Sequence, residues 1–263
     1  MPQSLARKAE AWVAHTGFSM ELRVARHFDE AGFSLVIQSP YFEDPYKPGT
    51  FREVDIIAED YAHNLKKRVD ISGSILIECK YESSEPWIVL TREWDAEEPL
   101  GVISHPASEL GRRYLSASVE EGWAHNESLF SVPRFLGYNV IQPNDKWQST
   151  TNTPYEAVQK VLTACELAVT PPSIRKRGRV SEVRLAFPAI VLNGPLLECH
   201  LGKGGRPVAS PCRAARVLRN VVETRRTVIV DIVTEASVRS WARQSFQSVI
   251  SILEHCSSYL DAA

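Results

Sequence analysis

The chain has 263 residues, 44% of them apolar and 24% charged, with a net charge of −2. This is the make-up of an ordinary globular protein, long enough for one large domain or two small ones. No internal repeat or low-complexity tract is present, and no apolar run approaches the length of a bilayer span, so no membrane association is expected.

The stretch 1–15 has no long apolar segment after its charges and does not read as a secretory signal. Cys79, Cys165, Cys199, Cys212 and Cys256 are odd in number and scattered, with no C-x-x-C pair. Reduced thiols in a cytoplasmic protein are the expectation. Charge is unevenly spread: residues 1–100 hold 11 Lys+Arg and 18 Asp+Glu, whereas residues 171–263 hold 14 and 7. Such an asymmetry suits an enzyme holding metal in one place and phosphate in another. It suits equally a set of basic residues coating solvated helices.

In chain order, Leu5, Ala9, Trp12 and Val13 have helical spacing over 4–14, and Gly17 interrupts. A second helix is predicted over 19–31, with Ser19 as N-cap, Leu22, Ala25 and Phe28 as its apolar stripe, Glu21 at the stripe's edge and Gly32 as its stop. A first strand is expected over 33–42, followed by a turn-rich loop (42–50), a second strand (51–60), a polar connection (61–74) and a third strand (73–82). Residues 83–153 read as an insertion after that strand, with Trp87, Trp94, Trp123 and Trp147 and a helix near 105–122. Pro154 opens a helix over 154–169, whose inward side carries Ala157, Val158, Val161, Leu162 and Cys165. A basic loop covers 171–184. Strand, Asn-Gly turn and strand follow over 187–201, a further strand over 224–235, and an amphipathic helix over 236–260. In that helix Val238, Trp241, Ala242, Val249, Ile250 and Leu253 face inward. Alternating strands and helices give an α/β fold, read as one domain over 1–263.

The chemistry concentrates in two strand-like runs, 51–57 and 75–81. Residues two apart on a strand share a face. Glu78 and Lys80 therefore project with Leu76, and Ile75, Ile77 and Cys79 project the other way. Likewise Glu53, Asp55 and Ile57 share one face, and Val54 and Ile56 the opposite one. Charged groups among apolar strand residues are costly and need a reason. Two carboxylates can hold Mg²⁺, a hard cation that keeps several waters, and a nearby lysine can orient a water or offset phosphate charge. Without its cation such a cluster repels itself, which raises carboxylate pKa values.

Asp55 at the end of Glu53-Val54-Asp55, followed at hairpin distance by Glu78-Cys79-Lys80, resembles the PD-(D/E)xK nuclease superfamily, which includes many restriction endonucleases and Holliday-junction resolvases. Glu21 matches the upstream helical glutamate often found in that family. The resemblance covers about residues 19–81, and no proline precedes Asp55, which follows Val54. It implies a restriction-endonuclease-like core of helix, three strands, helix and further strands. It also implies Mg²⁺-dependent hydrolysis of DNA phosphodiesters. Asp55, Glu78 and Glu21 would bind Mg²⁺ or a substituting Mn²⁺, and Asp55, Glu78 and Lys80 would carry the catalysis. Glu53 is a secondary candidate, or else the partner of a basic residue on a neighbouring strand. Glu21 is alternatively a partner of its own helix dipole. A homodimer is compatible with the resemblance.

Backbone phosphate contacts have weaker candidates in Arg175, Lys176, Arg177 and Arg179, and in Lys203 and Arg206 of the 202–207 loop, which lacks P-loop spacing. No His or Cys pair has ligand spacing, which disfavours zinc chemistry, and no G-x-S-x-G elbow occurs. The alternative is a catalytically inactive nuclease-fold protein that binds nucleic acid or a protein partner, within a defence system for example. The tryptophans of 83–153 would then form the contact surface.

Overall fold

Val, Ile and Leu concentrate in two long stretches, 69–81 and 181–193, and these form the centre of the molecule. The structure, a computed structural model, describes residues 4–43, 49–81, 85–94, 105–144, 146–148, 153–170, 181–221 and 226–262, except the side chains of 220, 221 and 226. The elements run α1 (Leu5–Ala14), α2 (Gly17–Ala31), β1 (Leu35–Gln38), β2 (Tyr41–Glu43), β3 (Phe51–Glu53), β4 (Ile56–Asn64), β5 (Val69–Tyr81), β6 (Trp87–Glu93), α3 (Glu109–Glu120) and β7 (Phe135–Ile141). They continue with α4 (Thr153–Val169), β8 (Ser181–Asn193), β9 (Leu196–Leu201), β10 (Pro207–Pro211), β11 (Ala214–Val221), β12 (Arg226–Thr234) and α5 (Glu235–Ala262).

A ten-stranded mixed sheet has the order β1-β4-β5-β8-β12-β11-β7-β6-β9-β10, with β2 and β3 as a separate pair. β5 runs antiparallel to β4 (Ile56↔Ile77, Ile57↔Leu76) and parallel to β8 (Glu78↔Ile190, Lys80↔Leu192), and β12 continues parallel to β8. Both faces of β5 and β8 are covered, so these strands read as continuous apolar runs. On one face Ile56, Ala58, Ile75 and Ile77 pack with Phe28 of α2 and Val249 and Leu253 of α5. On the other Val54, Ile57, Leu76, Ile190 and Leu192 pack with Ala157, Val158 and Val161 of α4. The mixed α/β class stands, and no described helix is long and apolar enough to cross a membrane.

Several sequence expectations are corrected. α2 starts at Gly17 after Thr16, and Ser19 lies within its first turn, bonding back to the carbonyl of Thr16 at 3.0 Å. The buried stripe of α2 is Met20, Val24, Ala25 and Phe28, and Leu22 is exposed. The 33–42 strand is two strands, broken at Ser39 (φ 49°) and Pro40, and the 51–60 strand is broken at Val54–Asp55. That break shifts the alternation by one residue: Val54 packs with Ile57, not Ile56. The supposed polar connection 61–74 is the end of β4, a short turn and the start of β5, because its polar residues sit on a half-exposed hairpin with His63 paired to Asp70 at 2.6 Å. β8 and β9 are consecutive but not neighbours. Both edges of β8 are taken by β5 and β12, so the Asn193-Gly194 turn carries the chain to β6. Within α5, Ile252 and Cys256 complete the buried stripe and Ile250 is only half-buried.

Residues 83–153 supply β6 and β7 to the main sheet and α3 to one of its faces. Trp87 and Trp94 are buried, Trp123 stacks on His255 half-buried at the edge of the core, and Trp147 is exposed.

Candidate metal and phosphate site

Asp55 occupies the bend between β3 and β4. The amide of Ser39 donates to its carbonyl at 2.8 Å, and the amide of Val54 to the Pro40 carbonyl at 3.3 Å, so two chain breaks brace each other here. The last β4–β5 pair is Ile56↔Ile77. Beyond it the Asp55 side chain takes over from the backbone: its Oδ2 accepts the Cys79 amide at 2.6 Å. One carboxylate is thereby fixed beside the strand that carries the other.

Glu78 and Lys80 share the α4 face of β5 with Leu76, as alternation requires, and Cys79 packs into the opposite core. The Glu78 side chain is 1% exposed, and Lys80 Nζ lies 2.9 Å from its Oε1. A second ammonium comes from α4: Lys160 Nζ lies 2.7 Å from Glu78 Oε2 and 3.1 Å from Asp55 Oδ1. The Lys160–Glu78 approach is an ion pair and not a well-directed hydrogen bond, since among the described residues that oxygen has no partner of good hydrogen-bond geometry.

Glu21 reaches the same end of the sheet from α2, and its ionisation is opposed by burial and then by the charges of Asp55 and Glu53, so its pKa is raised. The register of α2 is held by Arg23, whose Nε donates to Glu235 Oε1 of α5 at 2.6 Å, and Asn193 donates to the other oxygen of Glu235. Glu78 also has a raised pKa, first from burial and then from Asp55, with Lys160 and Lys80 acting against the rise. Carboxylate self-repulsion is thus present but second to desolvation. Burial would depress Lys160, but Glu78 and Asp55 outweigh it and hold its pKa above the ordinary lysine value.

Asp55, Glu78 and Lys80 are therefore brought together, with Glu21 and Glu53 in electrostatic contact. Lys160 was not singled out from the sequence. Its signal was available: it lies three residues after Ala157 and four before Ala164, both buried, so a lysine occupies the inward stripe of an amphipathic helix. Lys203 and Arg206 are exposed on the β9–β10 hairpin, with five strands between β9 and β5 in the sheet. Arg175, Lys176, Arg177 and Arg179 lie outside the described residues.

Carboxylate oxygens are the hard donors that Mg²⁺ prefers, and it commonly takes one or two of them while keeping its waters. Among the described residues no three His, Cys, Asp or Glu side chains form a ready metal cluster. The pair Asp55 and Glu78 already clasps a cation, the ammonium of Lys160, so the donor set fits a positive ion at this point. An open cleft of about 550 Å³ lies at the same end of the parallel strands but on the α2 and α5 side, lined by His27, Leu192, Asn193, Thr234, Glu235 and Arg239 and by none of Glu21, Asp55, Glu78, Lys80 or Lys160. Leu192 and Asn193 are the β8 partners of Lys80 and Tyr81. Ligands of open α/β sheets commonly bind at this end of the strands. Comparison with family models, with curated proteins and with solved structures gives no match.

Proposed function

We propose that the protein is a metal-dependent nuclease that hydrolyses phosphodiester bonds of DNA. The observation that carries the reading is the convergence of Asp55, Glu78 and Lys80 at one sheet end. Leaving aside the separate β2–β3 pair and the β6, α3 and β7 additions that follow β5, the order α2, β1, β4, β5, α4, β8 is compatible with it, being helix, three strands, helix and strand as in the restriction-endonuclease-like core. In this reading Asp55 and Glu78 hold Mg²⁺, or Mn²⁺ in its place, and Glu21 adds a ligand directly or through water. The bound ion would polarise a phosphoryl oxygen and lower the pKa of a water. Lys80, anchored to Glu78, orients the attacking water and offsets charge on the phosphate. The backbone amide of Cys79 keeps the Asp55 carboxylate aimed at the site. A cytoplasmic location goes with the reading and is supported by five unpaired cysteines.

The direct test is incubation of the protein with plasmid, linear, branched and single-stranded DNA in Mg²⁺, in Mn²⁺ and in EDTA. Metal-dependent cleavage that disappears in Asp55→Ala is expected. Intact DNA of all four kinds in both metals overturns the reading.

A second reading is favoured by Lys160, which neutralises the two carboxylates. There the site is an ion-paired relic, and the protein binds nucleic acid or a protein partner without catalysis. Calorimetry separates the two, since a relic takes up no Mn²⁺.

A further inference from the structure

We propose that Lys160 is a removable counter-ion: its ammonium holds the place between Asp55 and Glu78 in the metal-free protein, and a divalent cation enters by exchanging with it. The inference rests on the metal-site reading above and adds to it the means by which the site survives empty. Three observations carry it. Lys160 Nζ contacts both carboxylates, at 3.1 Å and 2.7 Å, so it stands where an ion shared by the two would stand. The two partners differ in freedom. The Lys160 side chain is 36% exposed on a flexible four-carbon stem, whereas that of Glu78 is 1% exposed. The cation can therefore leave toward solvent while the carboxylate stays. Finally, each carboxylate has a second partner besides Lys160. Asp55 keeps the Cys79 amide on Oδ2, and Glu78 keeps Lys80 on Oε1.

Two carboxylates brought this close without a shared cation repel each other. With Lys160 in place the two carboxylates stay aimed at one point. Metal entry would then replace one cation by another, with the lysine released toward solvent.

The test is Mn²⁺ titration calorimetry on the full chain, comparing the unmodified protein with Lys160→Met and Lys160→Arg, with thermal melting of each in EDTA and in Mn²⁺. Removing the competing charge in Lys160→Met tightens Mn²⁺ binding by on the order of tenfold. The same variant melts below the unmodified protein in EDTA and gains more from Mn²⁺, because a ligand stabilises in proportion to its occupancy. Lys160→Arg, whose guanidinium fork clasps carboxylates more firmly, binds Mn²⁺ no better than the unmodified protein. Measurable Mn²⁺ binding by the unmodified protein, with no tightening in Lys160→Met, overturns the exchange and leaves the metal site standing. Absence of Mn²⁺ binding in every variant overturns the metal site and the exchange together. Should Lys160→Met fail to fold, Lys160→Gln is read by the same two criteria.

Discussion

Two ion-paired clusters lie against the same sheet and are built on opposite plans. On β11 and β12, Arg216 Nε donates to Asp231 Oδ1 at 2.7 Å, while its terminal nitrogens donate to the Ser128 carbonyl at 2.6 Å and to the Ser131 hydroxyl at 3.0 Å. A rigid guanidinium fork thus meets one carboxylate and several fixed acceptors, and it ties the 128–131 loop to the sheet. At the other site Glu21, Asp55 and Glu78 face Lys80 and Lys160, so carboxylates exceed ammoniums and the cations are point charges on flexible stems. The comparison teaches how to tell a clamp from a site. Saturated, directed contacts lock a fold, whereas an acidic excess held by exchangeable cations leaves capacity for a ligand.

The largest expected effect lies at the proposed metal site. Asp55→Ala or Lys80→Ala lowers Mg²⁺-dependent cleavage by about a thousandfold or more, with an unchanged circular dichroism spectrum. Cleavage that persists in both variants would erase the contrast, since the second cluster would then be structural like the first. Next is the clamp: Arg216→Met strands Asp231 in the interior and lowers stability in urea by about 3–5 kcal/mol. A loss comparable to that of an exposed pair would show that the clamp locks little.

A pH effect follows from His105, which sits against Phe130 and Phe187 with neither ring nitrogen hydrogen-bonded among the described residues. Burial first, and then the charge of Arg216, lowers its pKa to about 3. An unfolded chain binds a proton there below about pH 6.5, whereas the folded one does not until about pH 3. Stability therefore falls as pH drops through that window, by up to about 1.4 kcal/mol per unit from this residue. His105→Leu should flatten that slope in urea titrations run from pH 7 to pH 4. An unaltered slope would mean that His105 is not the group responsible. The smallest change is expected at the far edge of the sheet. Lys203→Ser with Arg206→Ser weakens DNA affinity by less than about threefold and leaves kcat unchanged, because these charges lie beyond a Debye length from the reacting end along the sheet. A drop in kcat would bring that hairpin into the site.

Much of this was legible from alternation and turn chemistry. The β5 faces follow directly from period two, and Pro154 and the spacing of Ala157, Val161 and Cys165 mark α4. The break at Asp55 was not, because Glu53-Val54-Asp55-Ile56-Ile57 alternates acceptably as a continuous strand, and only the packing of Val54 with Ile57 reveals the bend. Lys160 was hidden for a different reason. A single lysine on a helix usually points to water, and its inward register becomes meaningful only once β5 is known to bring two carboxylates beneath it. The β8–β9 hairpin expectation failed because local turn residues do not report which sheet edges are already occupied.

The central claim is most directly tested by anomalous scattering from crystals grown with Mn²⁺. The account predicts a peak between the carboxylates of Asp55 and Glu78, with the Lys160 ammonium displaced from both. A map without that peak, with Lys160 still bridging the two carboxylates at saturating Mn²⁺, would contradict it.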